Sequence, residues 1–314
     1  MTTGVHMPSL GGATDWLNSE PVGPAQLRGR VVLVDFWTLT CINWVRTAPW
    51  VRAWSQAYQQ DGLLVLGIHS PELSFEHEVE HVRRAVAERR IEYPVALDND
   101  FHIWRAFSNH YWPALYLVDS DGIVRGEYFG ENHYEESEAT IQDLLGIERN
   151  HVSVTGSGVE APADWDHLGS PETYLGLDRQ DSYASPPVEA QDSGRYQLPS
   201  KLPPNQWGLS GHWTIEAEKV VLHEGGGSIA IRFHARDAHL VLSSSAPEPV
   251  PFKVTLDGKP PGTARGVDVD DEGNGVLDVG RMYQLVRQGD DVVDRTVAVT
   301  FSEGGPEAFI FTFG

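Results

Sequence analysis

The chain has 314 residues, too many for one small fold, so two domains are expected. Apolar residues make up 40%, with 10 Trp, 10 Tyr and 11 Phe, which supplies packed cores and argues against wholesale disorder. The net charge of -22 repels phosphate backbones and excludes nucleic acid as a natural partner.

The N-terminal stretch MTTGVHMPSLGGATDW has neither a basic segment nor a continuous apolar run, so no secretory signal is expected. No apolar run anywhere is long enough to span a bilayer, so no membrane association is expected. The single cysteine, Cys41, permits no intrachain disulfide and fits a reducing compartment; a cytoplasmic protein is expected. Strands and helices then alternate. Apolar strands are predicted over Val31–Phe36, Leu63–His69 and Leu115–Val118, a short extended piece over Tyr93–Leu97, and a hairpin partner over Ile123–Phe129. Helices are predicted over Cys41–Tyr58, Phe75–Arg89, Phe101–Phe107 and Glu135–Leu145. Strands joined by helical crossovers imply an α/β sheet, assigned to residues 1–150.

Residues 151–206 are rich in Pro, Gly, Ser and Asp and keep no period. They are too long for an ordinary loop and read as an extended linker or arm packed between domains, anchored by Tyr174, Leu175, Tyr183, Tyr196 and Leu198. From Trp207 to Gly314 about nine short strands alternate with turn signals such as Gly225-Gly226-Gly227 and Asp257-Gly258, the pattern of an all-β, jelly-roll-like sandwich of the carbohydrate-binding-module kind.

The chemistry concentrates in DFWTLTCINWVRTAPW, residues 35–50. A strand ends at Trp37, a short polar turn follows, and a helical pattern begins directly after Cys41. A thiol at a helix N-terminus faces unpaired amide N–H groups and the positive end of the helix dipole, which stabilise a thiolate. Three residues on, where a dithiol motif carries its second sulfur, stands Trp44. Trp37, Thr40, Asn43, Trp44 and Trp112 are expected to rim the sulfur.

These residues resemble the redoxin domains of the TlpA/ResA kind. The whole chain is similar to the soluble C-terminal region of the DipZ-type thioredoxin-like proteins, through WLNSEPV at Trp16, LRGRVVLVDFWTLTCINWVRTAPWV from Leu27, GIHSPELSFE from Gly67, YPVALDND from Tyr93, YWPALYLVD from Tyr111 and the terminal FIFTFG. The resemblance implies a thioredoxin-like α/β fold, a cis Pro113 facing the thiol, and a proton-transfer role for Glu72. The family's usual motif is CINC, so Trp44 removes the resolving sulfur of its dithiol relay. The membrane domain that often precedes such regions is not found in this sequence.

A dithiol enzyme attacks with one sulfur and resolves the mixed disulfide with the other. With Cys41 alone, the expected activity is that of a monothiol oxidoreductase or antioxidant: Cys41 reacts with a disulfide or peroxide and an external thiol or a thioredoxin regenerates it. No organic cofactor or metal is required. The alternative is a redox-inactive pseudo-thioredoxin acting as scaffold, whose β-domain binds a carbohydrate or protein ligand, with Trp207, Trp213 and Tyr283 as an aromatic platform. Two metal-like patterns are read as decoys. His77-Glu78-Val79-Glu80-His81 matches the zinc-hydrolase spacing on a peripheral helix, and Asp268, Asp270 and Glu272 imitate a calcium loop whose twelfth position, Val279, has no side-chain oxygen. His102, His110 and His133 carry no spacing that compels a place beside the thiol.

Overall fold

The computed structural model describes residues 5–184, 193–289 and 291–314. The chain divides into two compact units, Met1–Ala161 and Pro162–Gly314. The first contains β1 (Asp15–Leu17), α1 (Pro24–Leu27), β2 (Val31–Trp37), α2 (Ile42–Tyr58), β3 (Leu63–His69), α3 (Val79–Glu88), β4 (Val95–Leu97), α4 (His102–Ala106), β5 (Ala114–Val118), β6 (Val124–Phe129) and α5 (Tyr134–Leu145). They build a thioredoxin-like α/β fold around a six-stranded sheet of order β1-β4-β3-β2-β5-β6. β2 runs parallel to β3 and antiparallel to β5.

All seven residues of β2 are buried, because a central strand covered on both faces has no wet side. Successive side chains alternate between those faces. Val32, Val34 and Phe36 pack with Leu66, Ile68, Phe107 and Tyr116. Asp35 and Trp37 belong to the other face, against α2. That helix buries Trp44, Ala48, Val51, Trp54 and Tyr58, a stripe at spacings of three and four residues. Pro49, inside α2, has no N–H to give to the preceding turn.

β3 approaches this layer closely at Gly67, the partner of Asp35 in the parallel register. A Cβ there would stand 3.0 Å from Trp37 Nε1 and 3.2 Å from the Tyr93 ring. Both neighbours are buried and held by packing. Gly67→Ala is therefore expected to lower stability by about 1–3 kcal/mol through overpacking, seen as a lower urea midpoint at unchanged slope. An unmoved midpoint would show that the layer can yield.

The helix predicted over Phe75–Arg89 is two pieces: a 3₁₀ turn over Ser74–His77 and then α3. The break is at Glu78, whose ψ of 115° is extended. It follows Glu76, whose inward carboxylate caps the short turn. His77 and His81 thus do not share one helical face. Each ring meets a backbone carbonyl instead, His77 that of Ser74 at 3.1 Å and His81 that of Phe75 at 2.9 Å.

The second unit contains β7 (Thr173–Tyr174), β8 (Ser193–Tyr196), β9 (Trp207–Ile215), β10 (Val220–Leu222), β11 (Ser228–Phe233), β12 (Asp237–Ser244), β13 (Val250–Leu256), β14 (Asn274–Leu277), β15 (Arg281–Arg287), β16 (Arg295–Phe301) and β17 (Pro306–Phe313). They form one eleven-stranded sheet with the main order β14-β13-β16-β11-β9-β10-β17-β12-β15. The sheet curls around a single core. β9 makes the curl: Trp207–Ser210 pairs with β11, and the residues after Gly211 pair with β10. Gly211 has φ +99°, and a Cβ there would lie 2.7 Å from Gly227 Cα, so both the bend and the close approach require glycine.

Parts of the arm expected over 151–206 are strands of this unit, since β7 pairs with β17 and β8 with β9. Residues 185–192 of that arm lie outside the described residues. Leu175 and Tyr196 enter the β-core. Trp207, Trp213 and Tyr283 are core residues and form no exposed aromatic platform: each is 0% exposed, because large apolar side chains fill the curl. Asp268 pairs with Arg281 at 2.9 Å, and Asp270 caps the Asn274 N–H at 2.8 Å, so both serve the turn.

Candidate active site at the start of α2

Cys41 is the N-cap residue of α2, with non-helical φ -69° and ψ 111°. Its N–H donates to the Thr38 carbonyl at 3.2 Å, closing the turn after β2, and its carbonyl accepts the first helical bond from Val45 N–H at 3.0 Å. The sulfur lies 3.7 Å from the Trp112 carbonyl oxygen, to which the thiol donates. The Trp112–Pro113 peptide is cis. Trp112 is held by its indole N–H on the Ser70 carbonyl at 3.1 Å and by the Trp104 ring at 4.3 Å. The side chain of Cys41 is half-buried, at the end of a helix whose first amides have no helical acceptors.

Trp37 and Trp44 pack in the core of the unit. Both are 0% exposed and stack with centroids 4.1 Å apart and planes 15° from parallel. Trp44 is buried because α2 turns its third residue inward onto the sheet. Thr40 is also buried, while Asn43 and Trp112 are partly exposed.

The Trp44 indole N–H donates to Asp35 Oδ2 at 3.1 Å. Asp35 is fully buried, and burial pushes its carboxyl up to about 7, against the pull of the Trp44 indole N–H. Its other oxygen, Trp37 Nε1, both ring nitrogens of His69 and the Tyr93 hydroxyl are buried without a hydrogen-bond partner. Burial drives His69 down to about 3, so its ring is neutral near pH 7. This polar layer beneath the thiol turn was missed from the sequence. One signal was available: a lone acid inside the otherwise apolar run VVLVDFW.

The acid whose carboxylate bonds to the thiol turn is Glu76. Glu76 Oε1 accepts from Thr40 N–H at 3.2 Å and Thr40 Oγ1 at 2.7 Å. Its Oε2 accepts from Thr38 Oγ1 at 2.5 Å, Glu72 N–H at 2.6 Å and Leu73 N–H at 2.9 Å. Burial pushes this carboxyl up, while the threonine hydroxyls and the Leu73 amide oppose the shift. Glu72 is half-buried and contributes its backbone N–H to the network. Nothing in the local sequence distinguishes Glu76 from the acids around it.

A second brace supports the opposite side. Arg46 and Glu131 pair at 2.9 Å with side chains 3% and 4% exposed. Glu131 follows Gly130, whose N–H donates to the Pro113 carbonyl at 2.9 Å. His102, His110 and His133 are exposed; His110 packs on Tyr111 and His133 on Tyr128. Among the described residues, no group of three or more His, Cys, Asp or Glu side chains is placed to hold a metal ion, and no helix is long and apolar enough to cross a membrane.

Residues 6–127 match the AhpC/TSA family, and residues 170–314 match the family described as thioredoxin like C-terminal domain. The chain is 32% identical over 98% of its length to the protein DipZ of Mycobacterium tuberculosis, and spans 42% of that longer protein. It is 31% identical to the thiol-disulfide oxidoreductase YkuV of Bacillus subtilis, over 44% of this chain and 93% of that one. A solution structure of a thioredoxin-like protein in the oxidised form aligns at 31% identity over 47% of this chain and all of its own, with a TM-score of 0.43. The chain belongs to the thioredoxin-like AhpC/TSA redoxins, related to the thiol-disulfide oxidoreductases, with the redoxin unit followed in sequence by an all-β unit that matches the family described as thioredoxin like C-terminal domain.

Proposed function

We propose that the protein is a monothiol oxidoreductase acting through Cys41. One observation carries this reading: the only sulfur able to act sits at the N-cap of α2 against the Trp112 carbonyl, while a buried indole occupies the position of a resolving cysteine. The Cys41 thiolate attacks one sulfur of a disulfide, the substrate S–S bond breaks, and the other sulfur leaves as a thiolate. The mixed disulfide is then attacked by an external thiol, which restores the Cys41 thiolate and carries off the substrate half. With a peroxide, the O–O bond breaks, one oxygen becomes a sulfenic acid on Cys41 and the other leaves as water or alcohol. Two external thiols then return the cysteine, through a mixed disulfide, with release of a second water. A small thiol or a thioredoxin serves as reductant, as the reducing cytosol provides.

Intact-mass measurement tests this directly. Exposure to a small disulfide or to peroxide should add one half-disulfide or one oxygen, and added thiol should remove it. Cys41→Ser should abolish both changes while leaving the melting temperature close to the parent's. Failure to form either adduct on the folded parent protein would refute the activity.

A further inference from the structure

Cys41 rests on a turn that has no rigid covalent or helical support of its own. Residues Thr38 to Thr40 lie between the end of β2 and the start of α2, and their polar groups converge on one carboxylate. Glu76 collects five donated hydrogen bonds: three from this turn and two from the amides of Glu72 and Leu73 after β3. Three of the five are backbone amides, which can only donate, and two are threonine hydroxyls, a set suited to the oxygens of a carboxyl group. A glutamine at the same place would present an N–H₂ group to N–H groups. Thr40, which gives both its amide and its hydroxyl, is the residue immediately before the thiol. From the other side, the Cys41 amide is tied to Thr38.

We infer that Glu76 is the positioning residue of the thiol: its carboxylate joins the loop before Cys41 to the loop after β3, and so holds the sulfur at the N-terminal end of α2. This rests on the monothiol reading for its consequence, but its physical content is independent of any substrate. The stabilisation that a helix end gives a thiolate fades within about one turn, so a turn that loosens lets the sulfur leave the region where the amides act on it. The other titratable groups at this end of the unit are Asp35 on β2, His69 on β3, Glu72 beside Glu76, and Arg46 on α2, which is paired with Glu131. Glu72 reaches across with its backbone N–H, which lies 3.3 Å from Thr38 Oγ1, whereas Glu76 ties the loops through its carboxylate.

The test is the thiolate absorbance of the full chain against pH, unambiguous because Cys41 is the only cysteine. Glu76→Gln should move the thiolate midpoint upward by about half a unit to one unit, the size of a lost helix-end interaction. Thr40→Val, which keeps the carboxylate and removes one donor, should shift it the same way by less, and serves if the glutamine variant does not fold. Glu138→Gln is the control. Glu138 is also a buried carboxylate of this unit, on α5, accepting from Trp54 at 3.1 Å and Val152 at 2.7 Å. It should lose stability without moving the midpoint. A midpoint unchanged in the Glu76 and Thr40 variants, or equally displaced in Glu138→Gln, makes Glu76 merely structural and overturns the inference. A downward shift overturns it too, since the carboxylate would then act chiefly as a charge opposing the thiolate. Absence of disulfide and peroxide adducts on the parent protein would refute the activity while leaving this titration readable.

Discussion

Asp35→Asn is expected to uncover a rise of stability with pH that the ionisation of Asp35 offsets in the parent protein. The carboxyl titrates near 3.8 when unfolded and near 7 when folded, so between those values the folded state holds a proton that the unfolded state has lost. Stability from this group therefore falls as pH rises through that window, by about 4 kcal/mol in all for a group that is completely buried. His69 works in the opposite sense. Its imidazole titrates at 6.5 unfolded and about 3 folded, so the unfolded state binds the extra proton and stability rises with pH through that range. In the parent the two slopes nearly cancel between 3.8 and 6.5. In Asp35→Asn the His69 slope loses its counterweight, and urea unfolding should show stability rising more steeply than in the parent from about pH 4 to about pH 6.5. Near pH 8 the variant should exceed the parent, although an amide N–H without an acceptor offsets about 1–3 kcal/mol of the gain. Parallel pH curves for the two proteins would mean that Asp35 is ionised in the fold or reached by water.

Trp44→Cys should have the largest effect on chemistry and a large one on stability. The indole is completely buried, stacks on Trp37, lies under Arg89 at 5.9 Å and donates to Asp35. Replacing it with a small side chain leaves a cavity and removes that donor, a cost of about 3–5 kcal/mol in the reduced state. Against that, the variant places a second thiol one helical turn from Cys41. Oxidation should remove two hydrogens from the intact mass, block alkylation of both sulfurs and recover part of the lost stability. Reduction of insulin disulfides should rise on the order of tenfold or more, because the mixed disulfide gains an internal resolving thiolate. If the folded variant forms no intramolecular disulfide, the frame around α2 has lost more than one sulfur.

How far the fold could be read in advance varied by element. β3 was legible to the residue, because LLVLGIH is a continuous apolar run between a glycine turn and a serine-proline break. The nine strands from β9 onward are marked by their turns, yet the stretch WGLSG at the start of β9 carries two glycines and reads as loop. Its true length follows from pairings on either side of Gly211 that no local pattern reveals. The short edge strand β1, and β7 and β8 in the arm, exist only through their partners in distant sequence.

The chemistry of the site divides in the same way. From the residues alone followed a lone thiol at the start of a helix, a sheet behind it, and a tryptophan where a second sulfur would stand. These are local facts, set by hydrophobic period and residue type over a few turns of chain. Which acids serve that thiol was decided by tertiary structure. Asp35 is 9 residues from Trp44, and Glu76 is 36 residues from Thr40. Whether a carboxylate ends in water, as a loop acid does, or buried with five donors depends on how the strands and loops converge. Burial and the convergence of distant donors are properties of the folded chain, and they single out Glu76 and Asp35 as the buried acids of this site.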